Sequence, residues 1–310
     1  MTIKSFRKRN PFFTMVMMIL LCQALQCPPL FGQASPLATV RNKGFSKTIN
    51  IWAKTKQMPG TRVIMEATVP DNPCGTAIII CPGGSYHHLG IYNEGHTTAK
   101  WFNTHGAATF VLRYRVAQDN YHYPAMMQDI QRAIEHVRLH ADEYGINPAK
   151  VGLIGFSAGG HLVTWAGAFG ERENELKKIG IHTTVSLRPD FVIPVYPVVT
   201  MQEDIGHKWS RKSLLGKNPS QEQKDLFSME LQIPKSMPPV YLVACHDDPV
   251  VMFENSERLY ASLLAQHIPC TFAQYEWGGH GFGMLNNAFM KEFHWNESLY
   301  QWLKELSFLP

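Results

Sequence analysis

Uninterrupted apolar runs recur along this chain with helix-length segments between them. That alternation limits the fold more than any other feature of the sequence. Ala77-Ile78-Ile79-Ile80-Cys81 has no polar position, so a strand formed there must be covered on both faces. Strands are likewise expected at Ala108–Leu112, Val151–Ile154, Phe191–Pro194 and Val240–Ala244, with a further strand near Thr271–Tyr275. Helical segments fall between them. One runs from about Glu94 to Thr104, and another from Ala125 to Tyr144 with Met127, Ile130, Ala133, Ile134 and Val137 on one face. Strand and helix in alternation give an α/β chain with a mostly parallel central sheet and helices on both faces. Earlier, Arg62–Val69 alternates apolar and polar residues before Pro70 and reads as a half-exposed antiparallel strand, after a polar stretch reaching to about Gly60. The segment from Val198 to Pro238 breaks the rhythm with mixed polar composition, Trp209 and a proline-rich exit. It is expected to be an insertion over the strand ends, a candidate cap or substrate wall.

The run Val151–Ile154 leads into Gly155-Phe156-Ser157-Ala158-Gly159, and a helix-like segment leads out from Gly160. A strand that turns this sharply into a helix strains its apex residue, and small neighbours let the backbone close around it. Ser157 then stands clear of the sheet edge, able to attack a carbonyl. An activated serine also needs a base, an orienter for that base and donors for the oxyanion, each on a loop at the carboxyl end of a strand. The strand Val240–Ala244 ends in Cys245-His246-Asp247-Asp248-Pro249, and the strand near Tyr275 is followed by Trp277-Gly278-Gly279-His280-Gly281. Ser157, Asp248 and His280 are therefore the candidate catalytic residues. Asp248 is favoured over Asp247 on register, and Asp247 is read as a loop-capping carboxylate. The loop after Cys81, Pro82-Gly83-Gly84-Ser85-Tyr86, has glycines that let N–H groups turn inward, so Gly84, Ser85 and Ala158 are the candidate oxyanion-hole donors. Removal of one such donor typically costs about 3–4 kcal/mol of transition-state stabilisation. His87 and His88 match no metal-ligand spacing, and this chemistry calls for no metal or cofactor.

The first residues belong to a different argument. Lys4, Arg7, Lys8 and Arg9 precede the apolar run Phe12–Leu21, which is shorter than the about 20 residues needed to span a bilayer core. Gly32-Gln33-Ala34 offers small residues for cleavage, so residues 1–34 read as a signal peptide and 35–310 as one domain in a secreted or periplasmic protein. A lipid anchor on Cys22 or Cys27 is the competing reading, disfavoured by Leu21 and Gln26 before those cysteines. The formal charge of +4 comes from 29 basic and 25 acidic residues, and the leader alone carries four of the basic ones. Its removal leaves a near-neutral chain, which gives no support for a nucleic-acid or anionic-membrane partner. Cys74, Cys81, Cys245 and Cys270 remain, with pairing open. A Cys81–Cys245 bond is disfavoured, since strands lying between them at about 4.8 Å each exceed the roughly 7 Å limit for bridging.

Taken together, Pro82–Tyr86, Glu94-Gly95, Leu112–Val116, Tyr123-Pro124 with Asp129, the Ser157 turn, Asp247–Val251 and Gly278–Phe282 resemble an α/β-hydrolase of the secreted carbohydrate-esterase type. That group includes acetylxylan and feruloyl esterases and is related to the hormone-sensitive-lipase-like esterases. Pro82 departs from the histidine of lipase-type esterases, and Met252 from a proline common in relatives. The resemblance implies a serine esterase acting on a small-molecule or oligosaccharide ester, with short acyl groups such as acetate on plant-type sugars preferred. It assigns Arg115 and Asp129 to structure, by pairing or capping. Two other classes stand beside it. A prolyl-oligopeptidase-like peptidase is expected to carry a β-propeller, for which the few dozen residues before the first strand leave no room. A non-catalytic binding protein on the same fold is expected to have lost the serine or the histidine, and both are present.

Overall fold

The computed structural model describes residues 43–310; the proposed leader 1–34, its cleavage point and Cys22 and Cys27 lie outside them. Eight strands form one sheet in the order β1-β2-β4-β3-β5-β6-β7-β8. They are β1 (Phe45–Asn50), β2 (Ile64–Val69), β3 (Ala77–Cys81), β4 (Ala108–Arg113), β5 (Val151–Phe156), β6 (Phe191–Val195), β7 (Val240–Cys245) and β8 (Cys270–Tyr275). β2 runs antiparallel to β1 and β4, and every pairing from β4 to β8 is parallel. The continuous apolar runs β3, β5, β6 and β7 are the buried centre, every residue covered.

Alternate side chains of those strands feed two cores. Ile79, Leu153, Val192 and Leu242 point to one face, where Met127, Ile130 and Ile134 of the helix Ala125–Leu139 and Leu162 of the helix Ala158–Phe169 cover them. Ile78, Ile80, Ile154, Ile193 and Val243 point to the other, against Phe102 of the helix Thr97–Thr104 and Trp295, Leu299 and Leu303 of the helix Trp295–Glu305. Burying a side chain of this size is worth about 1.5–3 kcal/mol, so the sheet is held from both sides. The period-two pattern of β2 is also as expected, with Met65, Ala67 and Val69 buried and the residues between them half-exposed.

Three elements differ from the sequence reading. β1 occupies part of the stretch read as merely polar; it is an edge strand whose residues are exposed or half-buried, so it carries no apolar alternation to betray it. The helix placed from Glu94 opens earlier with a wide π-type turn, Ile91–His96, before the regular turns of Thr97–Thr104. The long helix placed over Ala125–Tyr144 stops at Leu139, and a separate turn Ala141–Tyr144 follows. The insertion between β6 and β7 contains the helices Lys208–Leu215 and Gln221–Leu226. It is tied to the body through Tyr123 N–H on Leu214 O at 2.8 Å and His122 Nδ1–H on Ser213 O at 2.6 Å, while Met229 N–H on Val199 O at 3.0 Å links its own two ends.

All four described cysteines are free thiols. β5 and β6 separate the strands that end in Cys81 and Cys245. Among the described residues, no helix is long and apolar enough to cross a membrane.

Candidate active site

Ser157 lies between the end of β5 and the helix Ala158–Phe169, with φ 52° and ψ −117°. A non-glycine residue rarely adopts this conformation, which costs on the order of 1–3 kcal/mol and persists only where its surroundings enforce it. Three backbone bonds do so. Ser157 N–H donates to Val195 O at 3.0 Å, and its carbonyl accepts from His161 N–H and Val198 N–H, both at 3.1 Å. The flanking glycines permit the close approach: a Cβ on Gly155 would lie 2.1 Å from Gly159 O, and one on Gly159 would lie 2.0 Å from Cys81 O.

Beyond β8, Gly279, His280 and Gly281 form a loop whose two glycines take φ of 64° and 77°. That loop brings the His280 ring back over the sheet end. His280 Nε2 is 2.9 Å from Ser157 Oγ, and Nδ1 is 2.6 Å from Asp248 Oδ2. A carboxylate only accepts, so Nδ1 carries the proton and Nε2 presents its lone pair to the serine hydroxyl. The other Asp248 oxygen, Oδ1, accepts from Val250 N–H at 2.8 Å and Val251 N–H at 2.9 Å, which fixes the carboxylate plane. The Asp248 side chain is 2% exposed and that of His280 14%. Asp247 has a different task. Its Oδ1 accepts from Gly279 N–H at 2.8 Å and holds the histidine loop.

On the opposite wall, Gly84 has φ 125°, and Ser85 and Tyr86 take φ of 56° and 57°. Carbonyl O of Gly84 accepts from His87 and His88 N–H, closing a tight turn. Among the described residues, none accepts a hydrogen bond from the N–H of Gly84, Ser85 or Ala158. Tyr86 anchors this loop in the core: its hydroxyl donates to His161 Nδ1 at 2.8 Å, while His161 Nε2 donates to Phe227 O at 2.8 Å. Burial holds the His161 pKa down at about 4, so that ring is neutral at pH 7.

A cavity of about 270 Å³ joins these parts, lined by Gly83, Gly84, Ser85, His88, Ser157 and His280 among others. Depressions of about 470 and 510 Å³ exist elsewhere, the first around Glu66 and His96 and the second around Trp52 to Arg62. Size does not single out the site; in the smaller cavity a hydroxyl, an imidazole and a buried carboxylate are in line. The insertion comes close to the cavity wall at Trp209, whose ring lies 5.2 Å from that of His87 and 5.9 Å from that of the wall residue His88. At the start of the same helix, burial and the nearby charge of His280 hold the His207 pKa below its usual value.

Sequence reasoning singled out neither Glu94 nor Tyr196 as a site residue. Glu94 lines the cavity, and the ring of Tyr196 lies 4.7 Å from that of His280. Glu94-Gly95 was visible as a local pattern, and no signal marked Tyr196, which follows β6 as one more apolar residue.

The mostly parallel sheet, its covering helices and the strained serine turn define an α/β-hydrolase fold. Residues 65–263 match the BD-FAE family model, and the chain belongs to that family. An acetylxylan esterase of Xylanibacter ruminicola is 32% identical over 250 residues, which cover 78% of this chain and 48% of the relative. An endo-1,4-beta-xylanase B of Butyrivibrio fibrisolvens is 32% identical over 215 residues, 68% of this chain and 33% of the relative. The chain thus spans about half of the first curated relative and a third of the second. Among solved structures, an acetyl ester-xyloside bifunctional hydrolase from Caldicellulosiruptor lactoaceticus superposes with TM-score 0.77 at 29% identity, covering 88% of this chain and all (100%) of that one.

Proposed function

We propose that this protein is a serine carboxylic ester hydrolase acting on short acyl esters, acetyl above all, of plant-type carbohydrates. The hydrogen-bonded line Ser157–His280–Asp248 at the wall of one cavity carries this reading. Ser157 Oγ attacks the ester carbonyl while His280 Nε2 takes its proton, and Asp248 keeps the imidazole in the required tautomer and stabilises its charged form. The N–H groups of Gly84, Ser85 and Ala158 receive the oxyanion. Collapse of the tetrahedral intermediate expels the alcohol, protonated by His280, and leaves an acyl-serine. His280 then activates water, and the acid leaves.

The preference for short acyl groups on sugars rests on two supports. The relatives named above include an acetylxylan esterase and an acetyl ester-xyloside hydrolase. The cavity of about 270 Å³ at the serine also has room for a compact acyl group. Residues 1–34 act as a cleaved export signal in this proposal, so the substrate is an ester met outside the cytoplasm, with no nucleic-acid or membrane partner for the mature chain.

Turnover of p-nitrophenyl acetate by the wild type and by Ser157→Ala tests the reaction. A loss of about 10⁴-fold or more is expected, and equal rates would end the reading. Release of acetate from acetylated xylan, compared with ferulate from feruloylated oligosaccharides, tests the substrate. Ferulate release as the faster reaction would replace the acetyl assignment.

A further inference from the structure

Beside the serine and histidine lies a carboxylate that this mechanism does not use. Glu94, in the turn Ile91–His96, is 7% exposed. Its Oε2 accepts from Gly83 N–H at 2.6 Å, and its Oε1 accepts the hydroxyl proton of Tyr196 at 2.8 Å. The Tyr196 oxygen in turn accepts from Gly283 N–H at 3.2 Å. These bonds make one buried chain from Gly83, through two side chains, to Gly283. Gly83 immediately precedes the proposed donors Gly84 and Ser85, and Gly283 lies just past His280 on the same loop.

Space has been left for this carboxylate: a Cβ on Gly83 or Gly90 would come to 3.0 or 2.9 Å from Glu94 Oε2. Among the described residues no lysine or arginine pairs with Glu94, and both its hydrogen-bond donors are neutral. Burial raises its pKa, which the Tyr196 hydroxyl, Gly83 N–H and the nearby His280 partly offset. A buried carboxylate without a fixed counterion is a costly way to join two loops if packing alone were needed.

We infer that Glu94 and Tyr196 are positioning residues that register the oxyanion loop against the histidine loop, so that the donors and the base meet the same tetrahedral intermediate. The inference rests on the serine-esterase reading. Loops held out of register still admit the substrate, but they stabilise its transition state less well.

The test compares the full-length wild type, Tyr196→Phe, Glu94→Gln, the double variant and Ser157→Ala. It measures p-nitrophenyl acetate kinetics, affinity for an arylboronic acid that forms a tetrahedral serine adduct, and the thermal unfolding midpoint. Each single variant is expected to lose about tenfold or more in kcat with KM within about twofold, and to bind the boronic acid more weakly by a similar factor. The double variant is expected to fall little below the weaker single variant, because both break one chain. Tyr196→Phe retains the ring in the core and decides the matter alone if Glu94→Gln does not fold. An unchanged kcat in Tyr196→Phe, or a loss appearing wholly in KM, would overturn the inference while an inactive Ser157→Ala leaves the esterase reading standing. An active Ser157→Ala would overturn both.

Discussion

Two aspartates of this protein with buried side chains set the same functional group against different partners. Asp129 is fully buried and meets Arg115, whose Nη2 lies 2.8 Å from Oδ1 and whose Nε lies 3.0 Å from both oxygens. Arg115 N–H at 2.9 Å and Trp52 Nε1 at 2.7 Å complete its shell. The same Nη2 also lies 2.9 Å from Ala125 O and 3.0 Å from Gln128 Oε1. Asp248 is nearly as buried, but its partner is an imidazole whose far nitrogen touches a hydroxyl at a cavity wall. A guanidinium never gives up its proton, so the first cluster is closed and can only hold structure. An imidazole can take up and release a proton near neutral pH, so the second is open to chemistry. Burial and pairing look alike in the two regions; the identity and exposure of the partner separate them.

The largest effect expected from this contrast is at the open cluster. Asp248→Asn should lower kcat on p-nitrophenyl acetate about 10⁴-fold at pH 7 by favouring the wrong imidazole tautomer. Asp247→Asn, which removes only a loop contact, should stay within about tenfold. The reverse ranking would exchange the roles of the two neighbours.

The closed cluster should respond in stability instead. Asp129→Ala leaves the Arg115 charge buried without its partner and is expected to cost about 3–5 kcal/mol in urea unfolding, with the folded fraction as active as wild type. Loss of activity at unchanged stability would erase the distinction drawn between the two aspartates.

The histidines divide in the same way. His161 has both ring nitrogens engaged in the core, and its pKa is held down from 6.5 to about 4. Above pH 6.5 neither folded nor unfolded chain protonates it. Between 6.5 and 4 only the unfolded chain binds the proton, so stability falls as pH falls, by about 3 kcal/mol over that window. His161→Gln should flatten this part of the stability profile in pH-dependent urea titrations, and an unaltered slope would show that other groups carry it. The smallest effect concerns the cavity mouth. Trp209→Ala should raise KM for acetylated xylo-oligosaccharides about fivefold, from loss of an exposed aromatic face worth about 1 kcal/mol, while p-nitrophenyl acetate turnover changes less than twofold. Equal changes on both substrates would remove the insertion from substrate recognition.

Much of this arrangement was legible in the chain because it is written in local patterns. Continuous apolar runs declare strands buried on both faces, and glycines around a serine at a strand end declare a strained turn. Order and loop placement brought Asp248 and His280 into consideration without any contact being known. The edge strand Phe45–Asn50 left no such mark, since half-exposed residues have no burial pattern to display. The choice between Asp247 and Asp248 rested on register alone, and it is expressed in space by bonds to two different atoms of one loop, Gly279 N–H and His280 Nδ1.

What the sequence by itself determined is therefore the order of elements, the sheet class and the chemical types available at the strand ends. Only the tertiary structure decided which of those groups touch. Glu94 and Tyr196 are 102 residues apart and meet because β3 and β6 lie on either side of β5. Trp209 reaches His87 and His88 across the fold in the same way. Local propensity acts over a few residues, whereas a hydrogen bond between distant loops exists only after the sheet has closed the chain between them.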